Sequence, residues 1–190
     1  MIKTILYFHG FASSSDSNKA KLFKKYISSL KNDVEVIVPD LNNNFQNAVE
    51  EINNLIESSQ KPIAFIGSSL GGYYAAYFSS LHKTKAVLIN PATPPLKGFD
   101  AYLGKNENYS TGQKFNLTKS DIRFIRSISF KSYENQRNTL VLLESGDEVL
   151  NYLDAYSYFK GSNIEVFFGG SHSYESLEKK LEKIRYFLEI

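Results

Sequence analysis

A serine between glycines is the candidate nucleophile of this chain. Ser69 is central in the pentapeptide GSSLG (67–71), which follows the apolar run 63–66 and precedes the helix-like run 73–78. A G-x-S-x-G turn between a strand and a helix holds its serine in a strained conformation with the hydroxyl exposed, and the glycines leave room for the crowded backbones. The pattern therefore predicts Ser69, and not its neighbour Ser68, as a nucleophile.

A serine hydroxyl is a weak nucleophile at neutral pH and needs a general base. The chain offers three histidines, His9, His82 and His172. His172 follows the last predicted strand on a glycine-rich turn, which favours it as the base; the alternative is a loop histidine that caps the last helix. His82 lies at the predicted end of a helix, where a partial positive charge suits the helix dipole. We expect His9 to support the backbone at a bend.

The base in turn needs a carboxylate to orient it. Asp147 follows the predicted strand 139–144 and is the favoured candidate, with the adjacent Glu148 second. Asp147 has another interpretation, as the N-cap of a helix that starts near Val149, because aspartate is common at N-caps. Asp40, after the second predicted strand, is the third candidate.

Acyl transfer also needs hydrogen-bond donors for the negative oxygen that develops in the transition state. In a G-x-S-x-G turn, one donor is the backbone N–H of the residue after the nucleophile, and the other comes from a loop after an early strand. Here these positions are Leu70 and, in the loop 9–12, Phe11. We expect their two N–H groups to form the oxyanion hole.

Short apolar runs alternate with amphipathic, helix-length stretches along the chain. We predict strands near 2–8, 34–38, 63–67, 85–89, 139–144 and 163–168. This βαβ pattern is typical of an α/β fold with a mostly parallel sheet, and strands that are apolar throughout are expected when helices cover both faces. Ligands bind at the carboxyl ends of such strands. The interval 91–138 is long for a loop, which suggests a lid or binding segment.

The composition limits the classes of function. A chain of 190 residues is most simply a single domain, here 1–190, and the absence of cysteine excludes disulfides, thiolate metal sites and a cysteine nucleophile. The 22 basic and 20 acidic residues are mixed, so no nucleic-acid partner is expected. No apolar run is long enough for a membrane span. We expect a cytoplasmic protein that needs neither a metal nor another cofactor; its oligomeric state is not predicted.

Six motifs carry a resemblance to a known family: HGFASS, GSSLGGYYA, INPATPP, LGKNENYSTGQ, SGDEVLNY and GGSHSY. Together they resemble the α/β-hydrolase superfamily, and more narrowly the small bacterial esterases of the YqiA/YcfP type, over the whole chain. The resemblance implies a three-layer fold with a small cap at about 91–130. It also implies a triad of Ser69, Asp147 and His172, which stand in the Ser…Asp…His order of α/β-hydrolases.

The chain departs from the family pattern at two places. Tyr109-Ser110 stands where the family usually has Pro-Tyr, and Ser171 stands where an asparagine usually precedes the histidine. Both positions flank the expected chemistry, so the lid's shape and the support of the histidine are affected more than the triad. The roles of three further residues, Asn106, Glu107 and Asn108, are open between a polar lid hinge and substrate contact.

The expected activity is hydrolysis of a small carboxylic ester through an acyl-enzyme, with short to medium acyl chains favoured by a small cap. An acyl-CoA thioesterase is the alternative, in which Lys97 and Lys105 would supply charge for the nucleotide phosphates. A binding module that kept the fold without catalysis is the alternative from another class, since fold does not fix function.

Overall fold

A computed structural model describes the whole chain, Met1–Ile190, as one mixed α/β structure. Its strands are β1 (Thr4–Phe8), β2 (Glu35–Ile37), β3 (Ile63–Ser68), β4 (Ala86–Ile89), β5 (Gly104–Glu107), β6 (Lys114–Leu117), β7 (Thr139–Glu144) and β8 (Asn163–Phe167). Its α-helices are α1 (Asn18–Ser29), α2 (Phe45–Ser58), α3 (Leu70–His82), α4 (Lys119–Ser127), α5 (Tyr152–Tyr158) and α6 (Leu181–Leu188). Short 3-10 helices lie at Phe99–Tyr102, Gln136–Asn138 and Leu177–Lys180.

The main sheet has six parallel strands in the order β2-β1-β3-β4-β7-β8. These are the six strands that the apolar runs predict, so the α/β fold with a mostly parallel sheet is confirmed. The register places the ends of β1, β3, β4, β7 and β8 side by side, from the Phe8–Gly67 pair to the Glu144–Phe167 pair. Residues that follow these strands therefore meet at one edge of the sheet.

Two apolar cores cover the two faces of the sheet, which gives three layers. Side chains of β1 alternate between them: Leu6 and Phe8 join the core that includes α2 and α3, whereas Ile5 and Tyr7 join the core that includes α1 and α6. Every residue of β1 is buried, as expected for a strand that helices cover on both faces. Helix α2 is amphipathic, and its N-cap is Asn44, whose side chain accepts hydrogen bonds from the amides of Gln46 and Asn47.

The segment between β4 and β7 contains more structure than a long loop. It holds the antiparallel hairpin β5–β6 and helix α4, which begins with a capping box between Thr118 and Asp121. The hydroxyl of Tyr73 in α3 donates to the carbonyl of Ile125, 2.8 Å away, and α4 packs on α2. The part of the expected cap that lies at 119–127 is thus attached to the main body. None of the helices is long and apolar enough to cross a membrane.

Candidate active site

Ser69 occupies a sharp turn between β3 and α3. Its backbone has φ +56° and ψ −121°, a conformation that a non-glycine residue rarely adopts. The neighbouring glycines are required by close packing: a Cβ at Gly67 would lie 2.0 Å from the carbonyl oxygen of Gly71, and one at Gly71 would lie 2.0 Å from that of Phe8. The pentapeptide therefore folds as the strained turn that its sequence predicts.

His172 bridges Ser69 and Asp147. Its Nε2 lies 3.1 Å from Ser69 Oγ, and its Nδ1 lies 2.8 Å and 3.0 Å from the two carboxylate oxygens of Asp147. An ionised carboxylate only accepts hydrogen bonds, so Nδ1 carries the proton and Nε2 is free to accept from the serine hydroxyl. The side chain of Asp147 is 2% exposed and that of His172 is 23% exposed. The structure thus brings together the three residues that the sequence predicts, in the arrangement of a nucleophile, a base and an orienting acid.

Asp147 and Glu148 contact different parts of His172. The carboxylate of Asp147 also accepts from the amides of Val149 and Leu150, at 2.9 Å and 2.8 Å, which holds it against Nδ1 of the imidazole. Glu148 accepts instead from the backbone N–H of His172, at 3.0 Å. The expectation of a helix that starts near Val149 is wrong, because α5 begins at Tyr152 and its N-cap is Asn151.

The remaining candidates lie outside this hydrogen-bonded chain. His9 is buried, with Nδ1 2.8 Å from the carbonyl of Gly10 and Nε2 accepting from the amide of Leu41, so it supports the backbone. Burial lowers the pKa of His9. His82 is the exposed last residue of α3, and Asp40 accepts from the amide of Ser15.

Two residues that sequence reasoning missed hold the loop of His172. Glu144, the buried last residue of β7, accepts from the backbone amides of Ser171, Glu175 and Ser176 at 2.8, 3.2 and 2.9 Å. Burial alone would raise the pKa of Glu144, but hydrogen bonds from Ser176, Ser171 and Glu175 outweigh it and hold the pKa below its ordinary value. A carboxylate at the end of an otherwise apolar strand was the available signal.

Asn90 joins Glu144 to the same loop. Its side-chain oxygen accepts from the amide of Glu144 at 2.9 Å, and its side-chain nitrogen donates to the carbonyl of Ser171 at 3.0 Å. Gly170 completes this arrangement, because a Cβ there would lie 2.1 Å from a carboxylate oxygen of Glu144. Strands β4 and β7 therefore fix the backbone on both sides of the imidazole.

A cavity of about 850 Å³ opens over Ser69 and His172. Phe11 and Leu70, whose amides are the expected oxyanion donors, both line it. The N–H of Phe11 has no acceptor within the protein, and Leu70 is the first residue of α3, where amides have no partner inside the helix. The ring of Phe11 packs against Phe99, Tyr102 and Phe115, with centroids 5.1 to 5.7 Å apart.

The polar residues of the hairpin have structural contacts. The buried side chain of Asn108 donates to the carbonyl of Ser13 at 2.8 Å, and the amide of Tyr109 donates to the carbonyl of Ala12. The tip of the hairpin is therefore tied to the loop that carries Phe11.

Asn106 and Glu107, the other two residues whose roles the sequence leaves open, belong to β5. The side chain of Asn106 donates to the carbonyl of Tyr102 at 2.7 Å, whereas Glu107 is paired with Lys114 of β6 and is exposed. Neither side chain lines the cavity, and neither does that of Asn108. Substrate contact is therefore assigned to none of the three.

The fold is that of the α/β-hydrolases, as solved structures with the same architecture show. Mouse alpha/beta hydrolase domain-containing protein 10 aligns with a TM-score of 0.77 at 14% identity, over 98% of this chain and 89% of that one. Est1E from Butyrivibrio proteoclasticus, in a structure with ferulic acid bound, aligns with a TM-score of 0.74 at 15% identity, over 98% of this chain and 88% of that one.

The family follows from the sequence. Residues 4–189 match the model of UPF0227, which is described as an uncharacterised protein family, and the chain belongs to it. A relative is the UPF0227 protein YcfP of Escherichia coli O9:H4 (strain HS), which is 24% identical over 192 residues, with 96% of this chain and 97% of that protein covered. The resemblance to proteins of the YcfP type is therefore confirmed.

Proposed function

We propose that this protein is a serine hydrolase that cleaves carboxylic ester bonds through an acyl-enzyme. The observation that carries the proposal is the continuous chain of hydrogen bonds from Ser69 Oγ through the imidazole of His172 to the buried carboxylate of Asp147. It starts from a serine on a strained strand-to-helix turn, which is the arrangement that activates a hydroxyl for acyl transfer.

In the first half of the reaction, Ser69 Oγ attacks the acyl carbonyl while His172 Nε2 takes its proton. Asp147 holds the ring through Nδ1–H and stabilises the imidazolium, and the N–H groups of Phe11 and Leu70 receive the oxyanion. When the tetrahedral intermediate collapses, His172 gives the proton to the departing alcohol. A water molecule, activated by the same base, then releases the carboxylic acid and restores the serine.

The cavity supports a small substrate. Its volume of about 850 Å³ lies within the range of small-molecule sites. Leu96, Phe99 and Tyr102, from the segment that we propose as the cap, contribute an apolar wall. The ferulic acid that is bound to Est1E from Butyrivibrio proteoclasticus is a carboxylic acid of the kind that ester cleavage would release. We therefore favour short to medium acyl groups.

The two lysines that the sequence offered for the phosphates of an acyl-CoA thioester, Lys97 and Lys105, are not placed for that role. Lys97 lines the cavity but its Nζ is paired with Asp154 at 2.9 Å, so its charge is already balanced. Lys105 is exposed on β5 and lies outside the cavity. Neither lysine therefore offers the free charge that the nucleotide phosphates would need, although the catalytic residues would serve both substrates.

Hydrolysis of a series of 4-nitrophenyl esters, from acetate through butyrate and octanoate to palmitate, tests this function. The wild-type protein should prefer the shorter esters, and a butyryl oxygen ester should be cleaved faster than butyryl-CoA. The Ser69→Ala variant should lose about 10⁴-fold or more in kcat. Ser68→Ala, which changes the adjacent buried serine, is the matched control. Equal hydrolysis by wild type and Ser69→Ala would exclude Ser69 as the nucleophile, and a wild-type protein that hydrolyses none of these esters would be a binding module.

A further inference from the structure

Lys19 is a half-buried cation in the wall of the proposed active site. It is the second residue of α1, and its side chain lines the cavity that holds Ser69. Its Nζ donates to the carbonyl of Ser173, the residue after His172, at 3.0 Å. An ammonium group has three donors, so two N–H groups remain after this contact.

The positive charge of Lys19 has no neutralising contact. The cavity is lined by one other lysine, Lys97, and by one carboxylate, Asp154, and these two form an ion pair with each other. No carboxylate lies within 4 Å of Lys19 Nζ. Lys19 therefore presents to the cavity an ammonium group that no carboxylate contacts, next to the histidine that serves the nucleophile.

The surroundings of Lys19 disfavour a bare cation. Burial lowers the pKa of Lys19, and the more distant carboxylates of Asp147 and Glu144 oppose this only in part. Neither carboxylate contacts Lys19, because that of Asp147 accepts from His172 and that of Glu144 accepts from three backbone amides. A half-buried ammonium with no carboxylate in contact is stabilised when an anion binds beside it.

We propose that the cavity takes an ester that carries a carboxylate group, and that Lys19 binds this group. The inference rests on the proposed hydrolase function and specifies its substrate class. Two parts of the cavity bind the two parts of the substrate. The wall of Leu96, Phe99 and Tyr102 packs against the apolar part of the ester, and the two free N–H groups of Lys19 bind its charged end.

Matched pairs of charged and neutral esters test this proposal. The charge lies on the acyl side in the 4-nitrophenyl monoester of adipic acid, whose neutral partner is 4-nitrophenyl hexanoate. It lies on the alcohol side in 4-acetoxybenzoate, whose neutral partner is methyl 4-acetoxybenzoate. The measured quantity is the ratio of kcat/KM for the charged ester to that for its neutral partner, in the wild type and in three variants. Differences in intrinsic ester reactivity cancel when this ratio is compared between proteins.

For at least one of the two pairs, Lys19→Met should lower the ratio by about tenfold or more, because a hydrogen bond to a charged group is lost. Lys19→Arg keeps the charge and should keep most of the preference. Lys21→Met is the matched control, because it removes the same charge from α1 at an exposed position outside the cavity, and it should leave the ratio unchanged. The pair that responds shows on which side of the ester the anion lies.

Failure of this inference differs from failure of the proposed function. If Ser69-dependent hydrolysis is present but Lys19→Met leaves both ratios at their wild-type values, or slows charged and neutral esters equally, Lys19 only holds the Ser173 carbonyl and the proposal is overturned. If no ester is hydrolysed in a Ser69-dependent way, the proposed hydrolase function itself is wrong, and the proposed substrate class is then wrong as well.

Discussion

Replacing Glu144 by glutamine should impair the active site indirectly, through the loop that carries His172. The carboxylate accepts three backbone amides from the loop that carries His172: those of Ser171 and Glu175 on one oxygen and that of Ser176 on the other. A glutamine side chain has one acceptor oxygen and one NH₂ group. In either orientation at least one loop amide would then face another donor.

The loss of stability in Glu144→Gln follows from the number of hydrogen bonds that are lost. A hydrogen bond to a charged group contributes about 1.5 to 3 kcal/mol, and leaving a buried donor unsatisfied costs about 1 to 3 kcal/mol. The neutral amide is easier to bury than the carboxylate, which offsets part of that loss. We therefore expect Glu144→Gln to lower the free energy of unfolding by about 2 to 3 kcal/mol. Displacing the imidazole by about 1 Å should lower kcat by about 10²-fold and change KM little.

The difference in stability should depend on pH. The pKa of Glu144 is lowered in the folded protein, from an ordinary value of 4.5, so the unfolded chain takes up its proton first as the pH falls. The stability that the ionised carboxylate contributes is complete above that ordinary value and is lost as the pH falls through the folded pKa. The gap between wild type and Glu144→Gln should therefore shrink in acid.

Urea unfolding at about pH 7 and about pH 4, together with ester hydrolysis at pH 7, measures all three effects. Glu178→Gln is the control, because Glu178 is exposed just beyond the loop and makes no side-chain hydrogen bond. If Glu144→Gln unfolds at the wild-type urea concentration at neutral pH, the carboxylate does not hold the loop of His172 as described. The same conclusion follows if the stability gap is the same at both pH values, or if KM rather than kcat changes.

Three further predictions concern the site and its turn. Asp147→Asn should lower kcat by about 10³- to 10⁴-fold. Glu148→Gln loses only a contact to a backbone amide and should lower kcat by less than about tenfold. Steady-state kinetics that rank the two variants the other way would reverse the two roles. Gly67→Ala should yield little folded protein, because its Cβ would lie 2.0 Å from the Gly71 carbonyl oxygen, and a normal circular dichroism melt would contradict this. The lowered pKa of His9 means that the unfolded chain binds this proton first, so wild-type stability should fall with pH below about 6.5, and it should fall less in His9→Gln when urea unfolding is compared at two pH values.

The central sheet and the turn of Ser69 were predictable because short-range patterns determine them. Runs such as 63–66 and 140–143 are apolar throughout, as expected for strands that are covered on both faces. Ser69, Asp147 and His172 each follow a strand of the main sheet, and parallel strands bring their carboxyl ends to one edge. The meeting of the three side chains was therefore implicit in their positions along the chain.

The supports of the histidine could not be predicted in the same way. Glu144 contacts amides 27 to 32 residues further along the chain, and Asn90 reaches Ser171 across 81 residues, so no local pattern identifies their partners. Their importance depends on how the loop after β8 folds back over β4 and β7. The burial of a carboxylate at the end of an apolar strand becomes meaningful only when its partners are known.

The segment between β4 and β7 resembles a long loop in sequence because its strands are short and polar. The sequences GKNE and KFNL of β5 and β6 have no apolar run. The two strands pair with each other, and the turn between them contacts the Ala12 to Ser13 backbone. Helix α4 does carry a signal, since Thr118 and Asp121 form a capping box ahead of the buried Ile122 and Ile125. That signal is hidden inside an interval whose other elements leave no apolar pattern.

The central claim is that Ser69 is the residue that accepts the acyl group. Intact-protein and peptide mass spectrometry after treatment with a fluorophosphonate probe tests it most directly. One adduct should form, on the peptide that contains Ser69, and it should be absent from Ser69→Ala, present in Ser68→Ala and strongly slowed in a His172→Gln variant. An adduct that persists in Ser69→Ala, or a wild-type protein that takes up no probe while it hydrolyses esters, would contradict the account.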